Sequence, residues 1–310
     1  MGSFDTEKKA MAAAFFASFV FGLSFVFSKV ALQFTAPLVL LAFRFVTAFL
    51  LLHLLLLTGK VKLSLRGKKL LPLILLGFLQ PVLYFVFENY GILLTSATFS
   101  AVMIALIPIA TLFGGILFLR EIPTLFQVIF SVLSVAGVTL MALLQRGGGT
   151  VTALGVLLLL GAVLVQSGYT ALTRKLSLTY SVFERTYLMF LTGCAIFVPA
   201  AVISCGFDFP LLLSYLRHPE VWSATVFLGA FCSFGAFLAL NYANSHLPVA
   251  RTTAFANIST LVSVFAGVIL LKESFTFWTL TASLMIVAGV WGVQKFKRKE
   301  EKEESGYPEA

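Results

Sequence analysis

The sequence predicts an all-α membrane protein: ten transmembrane helices in two inverted five-helix repeats. Three observations carry this expectation. The 310 residues are 59% hydrophobic and only 11% charged, with a mean hydropathy of +1.00. An average soluble domain has roughly 45–50% apolar and about 25% charged residues, enough charge to cover a wet surface. Apolar runs of about twenty residues, the length that crosses a bilayer as a helix, recur ten times along the chain. A stretch of the first half also recurs in the second.

The first run, 10–31, follows Lys8 and Lys9. It is too long for a signal-peptide core and lacks a convincing cleavage site, so an uncleaved first span is expected. Runs at 36–57, 70–93, 97–119 and 123–144 complete the first half. Those at 152–173, 183–205, 220–242, 248–271 and 275–294 form the second. The slightest interruption is Thr95-Ser96. The clearest loops are TGKVKLSLRGKK at 58–69, QRGGG at 145–149 and the stretch from Asp208 to Glu220. The chain thus divides into an N-terminus at 1–9, repeats at 10–145 and 150–294, and a tail at 295–310. That tail mixes charges without an apolar face and is expected to be disordered.

A net charge of +9 would suggest nucleic acid in a soluble protein. Here the cations sit between apolar runs and act as topology signals instead. With ten spans and a cytoplasmic N-terminus, 16 of the 22 Lys and Arg fall on the cytoplasmic side and three outside. Lys29, Arg44 and Arg185 lie in or at the ends of spans. Both termini are therefore expected in the cytoplasm. Short loops and a short tail suit a bacterial plasma membrane. Cys194, Cys205 and Cys232 share no CxxC spacing and read as packing residues.

Residues 85–138 align without a gap on 237–290. Asn89 and Tyr90 meet Asn241 and Tyr242, Glu121 meets Glu273, Thr124 meets Thr276, and Ala136-Gly137-Val138 meets Ala288-Gly289-Val290. Five spans per copy is an odd number, so the second copy must lie upside down relative to the first. Two similar packings exchanged between halves give inward-open and outward-open states of nearly equal energy, which is a physical basis for alternating access.

The stretch FENYGILLTSATFSAVMIALIPIATLFGGILFLRE resembles the third and fourth spans of EamA-type members of the drug/metabolite transporter superfamily. The tyrosine-rich end of the third span, TSA, Pro108 and the close from Leu119 to Glu121 carry the likeness. The second copy, NYANSHLPVARTTAFANISTLVSVFAGVILLKE, matches again, with Thr260 where the family often has proline. Arg44 also stands at a common family position. The resemblance implies a ten-helix, two-repeat bundle around a central cavity that exports a small metabolite, amino acid or drug, and it is silent on which.

Ionisable groups inside a bilayer are costly and usually face a cavity or a partner. Glu88 is the only acid well inside an apolar run. Stepping back one helical turn at a time reaches Tyr84 and Gln80, a polar stripe on one face, with Pro81 placed to bend the helix. Such a carboxyl could load and release a proton, giving proton coupling. It could equally neutralise Arg44 or sit at the headgroup level. Arg44, in the second span and in the same outer half as Glu88 by this topology, could grip a carboxylate or phosphate or lock two helices. Gln166 and Tyr169 in the sixth span, Thr253 and Asn257 in the ninth and Ser24 in the first complete the candidate substrate-binding or coupling set. Amides need several partners, so Asn257 and Gln166 outrank single hydroxyls. Spans five and ten are expected as outer supports or dimer contacts, with monomer and homodimer both open.

No cofactor or metal is expected, because His53, His218 and His246 stand apart without HExxH. No P-loop or GxSxG elbow occurs, and the two aspartates, Asp5 and Asp208, lie outside the runs, which argues against an ATP-driven pump or an intramembrane enzyme. A lipid flippase or a passive channel-like facilitator is the nearer alternative. The partners expected are a small-molecule substrate and membrane lipid, not nucleic acid.

Overall fold

In the computed structural model the described residues are 2–107, 109–110, 124–145, 151–176, 179–246, 249–272 and 276–296. Some helical side chains, including those of Thr253 and Asn257, lie outside this description, as do Pro108, Glu121, Glu273 and residues 297–310 of the tail. Among the described residues the regular structure is helical: α1 (Gly2–Ala31), α2 (Pro37–Leu57), α3 (Leu71–Gly77), α4 (Tyr84–Leu93), α5 (Ala97–Ile104), α6 (Leu125–Gln145) and α7 (Ala153–Leu176). The series continues with α8 (Val182–Ser204), α9 (Phe209–Ser214), α10 (Pro219–Val226), α11 (Phe237–His246), α12 (Val249–Leu271) and α13 (Phe277–Lys295).

Local chemistry sets the helix starts. Pro37 opens α2 and Pro219 opens α10 at the first turn, where a missing N–H costs nothing. Ser96 caps α5 by accepting from Phe99 N, which makes the Thr95-Ser96 interruption a true break. Ser181 and Glu184 form a reciprocal capping box on α8. Thr124 and Thr276, 152 residues apart, accept from Gln127 N and Thr279 N at the starts of α6 and α13.

Two expected spans leave regular α geometry near their middles, one by a kink and one by a widened but still helical stretch, and each such interruption of the α ladder is termed a break. Between α3 and α4 the chain passes through wide π-type turns at Phe78–Leu83, where Gln80 is extended at φ −136°, ψ 117°. Between α10 and α11 the same kind of widening covers Phe227–Ala236. A 152-residue offset carries 78–83 onto 230–235, so the breaks fall in matching places. The expected bend at Pro81 is thus found in the span at 70–93, while the span at 220–242 stays helical through a widened middle. The ring of Pro81 cannot sit in a regular ladder, and Gly229 and Gly235 loosen the second segment.

Among the described residues, Thr6–Ala31, Pro37–Leu57, Leu71–Leu93, Val182–Ser204 and Pro219–Leu240 are long and apolar enough to cross a membrane. Shorter apolar helices include Leu125–Gly137, Ala153–Tyr169, Ile258–Leu271 and Phe277–Val293. Exposed strips at helical spacing, such as Leu50, Leu54 and Leu57 or Leu154, Leu157 and Leu164, have no charge among them. Apolar surface of this extent is tolerable in lipid and not in water. The protein is an all-α, multi-pass membrane protein.

The helices pair by exchange. α1 packs on α12 and α7 on α5; α1 packs on α11 and α7 on α4. α2 packs on the Phe227–Ala236 break and α8 on the Phe78–Leu83 break. α2 meets α8, and α6 meets α13. In the last pair Thr124 Oγ1 donates to the Phe296 carbonyl at 3.0 Å, and Ser134 Oγ to Ile286 at 3.3 Å. A Cβ on Gly137 would meet the Ala282 carbonyl at 2.8 Å, and one on Gly289 the Phe130 carbonyl at 2.6 Å. Position rises on one helix as it falls on the other, so α6 and α13 run antiparallel. The same holds for α2 and α8, where Phe45 stacks on Phe197 and His53 Nδ1 shares a 2.9 Å hydrogen bond with Tyr187 OH. Spans five and ten were expected as outer supports or dimer contacts. Within this chain their small residues press against each other, which lets two backbones approach closely.

Candidate functional site

Arg44 lies seven residues into α2, roughly 10 Å along the helix, and is 3% exposed. Burying a guanidinium is expensive unless it is paired. Its Nε donates to Ser233 Oγ at 2.9 Å, in the break between α10 and α11. Its Cζ sits 4.2 Å from the centroid of the Phe85 ring and 5.8 Å from that of Phe45, a cation–π arrangement that strengthens when desolvated. Backbones come close here, since a Cβ on Gly229 would meet Thr47 at 2.6 Å and the Arg44 carbonyl at 3.0 Å.

Glu88 on α4 is buried, and Tyr84 OH donates to its Oε1 at 2.8 Å. The two residues are one turn apart on the same face, as the sequence pattern requires. Glu88 is therefore inside the bundle. Arg44 acts on it electrostatically, yet no ion pair joins the two within 4.0 Å. A salt bridge locking spans two and three, one of the readings left open by the sequence, is absent among the described residues. Cys232 is fully buried, lies within the field of both charges and donates to the Val20 carbonyl at 3.7 Å.

Gln80 departs from the expected stripe. Its extended backbone removes it from the helical register of Tyr84 and Glu88, and its side-chain oxygen is buried without a hydrogen-bond partner among the described residues. It stays next to them in the chain, inside the break itself. Of the remaining candidates, Ser24 Oγ donates to the Phe21 carbonyl of its own helix at 2.6 Å and does helix-local work. Tyr169 reaches from α7 to Met189 Sδ on α8 at 3.5 Å and packs on the apolar cluster that holds Tyr84 and Phe85. Gln166 is half-buried on the same helix. The side chains of Thr253 and Asn257 lie outside the described residues. Asn89 Nδ2 donates to the Phe85 carbonyl one turn back, pinning the helix end.

The structure thus brings Arg44, Glu88 and Tyr84 together and adds Ser233, Cys232 and Phe85, while Gln80 joins them only along the chain. The internal repeat carried a signal for the added residues: the 152-residue offset maps Gln80 and Pro81 onto Cys232 and Ser233. Chemically, the two terminal Nη groups of Arg44 have no protein partner among the described residues, and an arginine fork matches a carboxylate or phosphate. Glu88 keeps a second carboxylate oxygen beyond the one Tyr84 holds. Interruptions of the α ladder at corresponding places in two halves resemble the discontinuous helices at which transporters tend to bind substrate.

The EamA-like transporter family model matches the chain twice, at residues 8–143 and 153–294. The uncharacterized transporter YcxC of Bacillus subtilis is 34% identical over 289 residues, covering 92% of this chain and 93% of its own. A transporter of Archaeoglobus fulgidus is 26% identical across 87% of this chain and 93% of its own. A WAT1-related protein of Arabidopsis thaliana is 22% identical across 80% and 74%. A crystal structure with 17% identity superposes with a TM-score of 0.63 over 95% of this chain and 99% of that one, a likeness of fold. With both halves of the chain matching one family model, and a bacterial transporter matching nearly end to end, the chain belongs to the EamA-like transporter family of membrane transporters.

Proposed function

We propose that the protein is a secondary, ATP-independent transporter of ten spans in two inverted repeats, which moves a small organic solute by alternating access. The exchange of packing partners between halves supports the two-copy reading, because a two-fold relation turns every contact of i with j′ into one of j with i′. The antiparallel course of α6 against α13 and of α2 against α8 supports inversion. Export of a metabolite, amino acid or drug is the direction the family likeness favours.

The single observation that carries the reading is the meeting of Arg44, Glu88 and Ser233 beside two matching helix breaks. Solute binds there by its anionic or polar group on Arg44, with Phe85 and Tyr84 as apolar wall. Glu88 takes and releases the coupled proton. Rocking of one half against the other then opens the site to each side in turn.

The test is a toxicity and uptake screen in cells expressing the chain, followed by flux of the hit into proteoliposomes without ATP. Flux that saturates, and that Arg44→Met removes, is the expected result. Flux that needs ATP, or that Arg44→Met and Glu88→Gln leave unchanged, contradicts the reading. Saturation by a labelled phospholipid instead of a solute would establish flippase activity.

A further inference from the structure

The loop between α2 and α3, residues 58–70, carries five cations. Its exposure alternates: Val61, Leu63 and Leu65 are half-buried, while Lys60, Lys62 and Arg66 are exposed. Leu63 and Leu65 pack on the main apolar cluster of the bundle. The loop is therefore a fitted amphipathic strip with its cations turned outward, together with exposed Lys69.

The strip is pinned by a buried carboxylate. Glu184, in the first turn of α8, accepts from Lys68 Nζ at 2.8 and 2.9 Å, from Ser64 N at 3.2 Å and from Ser181 N at 2.9 Å. Tyr180 OH donates to the Lys69 carbonyl at 2.6 Å. Lys68 is thus consumed by the anchor. Among the described residues, Lys60, Lys62, Arg66 and Lys69 meet no carboxylate.

The position of the strip fixes what it faces. It joins the ends of two helices, and the residues at those ends, Leu57 and Leu71, are apolar and strongly exposed, at 70% and 76%. Acyl chains cover such residues, so the cations beside them stand at headgroup level. The loop at the equivalent place in the second half shows that the fold does not need this charge. The 152-residue offset carries 58–70 onto 210–222, which holds one cation, Arg217, and the short apolar helix α9, with Leu211 and Leu213 exposed. One end of the bundle offers lipid a cationic strip, and the other an apolar helix.

We propose that the 58–70 strip is a binding site for anionic phospholipid headgroups, with Lys60, Lys62, Arg66 and Lys69 as its cationic contacts. The occupant is a lipid and not a free anion, because the strip is continuous with acyl-exposed leucines. Cationic segments at a membrane surface are drawn to anionic lipid. The strip also ties the end of α2, which bears Arg44, and the start of α3 to the start of α8, so bound lipid braces that end of the bundle.

The experiment is thermal unfolding of the purified full-length protein in mild detergent, with added phosphatidylglycerol, phosphatidylcholine or soluble glycerol phosphate. Lipid that binds only the folded state raises the melting temperature. Phosphatidylglycerol is expected to raise it by several degrees more than phosphatidylcholine. The K60Q/K62Q/R66Q variant, which leaves the Lys68 anchor intact, is expected to lose most of that difference. Native mass spectrometry of the same samples reads the retained phosphatidylglycerol per chain, which should fall in the variant even if its melting temperature is already lowered. Equal stabilisation by phosphatidylcholine, an equal effect of glycerol phosphate, or undiminished lipid retention in the variant overturns the proposal.

Discussion

Arg44 and Ser233 lie 189 residues apart in sequence and are joined by a 2.9 Å hydrogen bond. That bond ties the middle of α2 to the break between α10 and α11, and so ties the two halves of the chain at the buried charge. Ser233→Ala leaves Arg44 Nε without its partner. A hydrogen bond to a charged group contributes about 1.5–3 kcal/mol, so a clear drop in melting temperature is expected in detergent. Arg44→Lys keeps the charge but loses the Nε donor and the planar face over Phe85. Transport in proteoliposomes should fall by about tenfold or more, which corresponds to ~1.4 kcal/mol in the barrier.

Glu88→Gln keeps a carbonyl oxygen for Tyr84 OH and nearly the same shape. The variant should fold, and its flux should lose its response to an imposed pH gradient while substrate still binds. A response identical to that of the native protein removes Glu88 from the coupling role.

The pairing of α6 with α13 makes its own prediction. Gly289→Ala drives a methyl group into the Phe130 carbonyl, and Gly137→Ala drives one into the Ala282 carbonyl. Overpacking of this kind costs about 1–3 kcal/mol, and the exchange relation makes the two variants destabilise to a similar degree. Gly168→Ala, mid-helix with nothing within 4 Å of the added atom, is the control and should melt no lower than the native protein, since Ala is the better helix former. Thermal denaturation followed by size-exclusion chromatography reads all three.

Glu184 holds Lys68 and two backbone N–H groups at once. Removing it orphans donors on both the 58–70 loop and α8, whereas Lys68→Ala leaves the carboxylate two backbone partners. Glu184→Ala is therefore expected to destabilise more than Lys68→Ala, by about 1–2 kcal/mol. Denaturation curves of the two single variants measure the difference.

Much of this architecture was legible in the chain. Hydropathy alone marks the spans because lipid rejects charge all round a helix, and Ser96, Ser181 and Thr276 mark helix starts by their capping chemistry. Tyr84 and Glu88 keep their helical spacing, so their contact follows from the pattern. Gln80 does not, because one extended residue before Pro81 resets the register, and periodicity assumes an unbroken helix. Ser233 and Cys232 were hidden for another reason. In a run such as FLGAFCSFGA they look like ordinary small packing residues, and only superposing the two copies sets them opposite Gln80 and Pro81. The absence of an Arg44–Glu88 ion pair was not legible at all, since spacing along a chain does not fix distances between helices.

The central claim is that the site around Arg44 and Ser233 opens to each side of the membrane in turn. Ser233→Cys, placed in a chain with Cys194, Cys205 and Cys232 replaced by serine or alanine, puts one near-isosteric thiol at the site. Labelling by a membrane-impermeant maleimide is then measured from each face of oriented vesicles. Modification from both faces, slowed by substrate, is the expected result; modification from one face only, or from neither under any condition, contradicts alternating access.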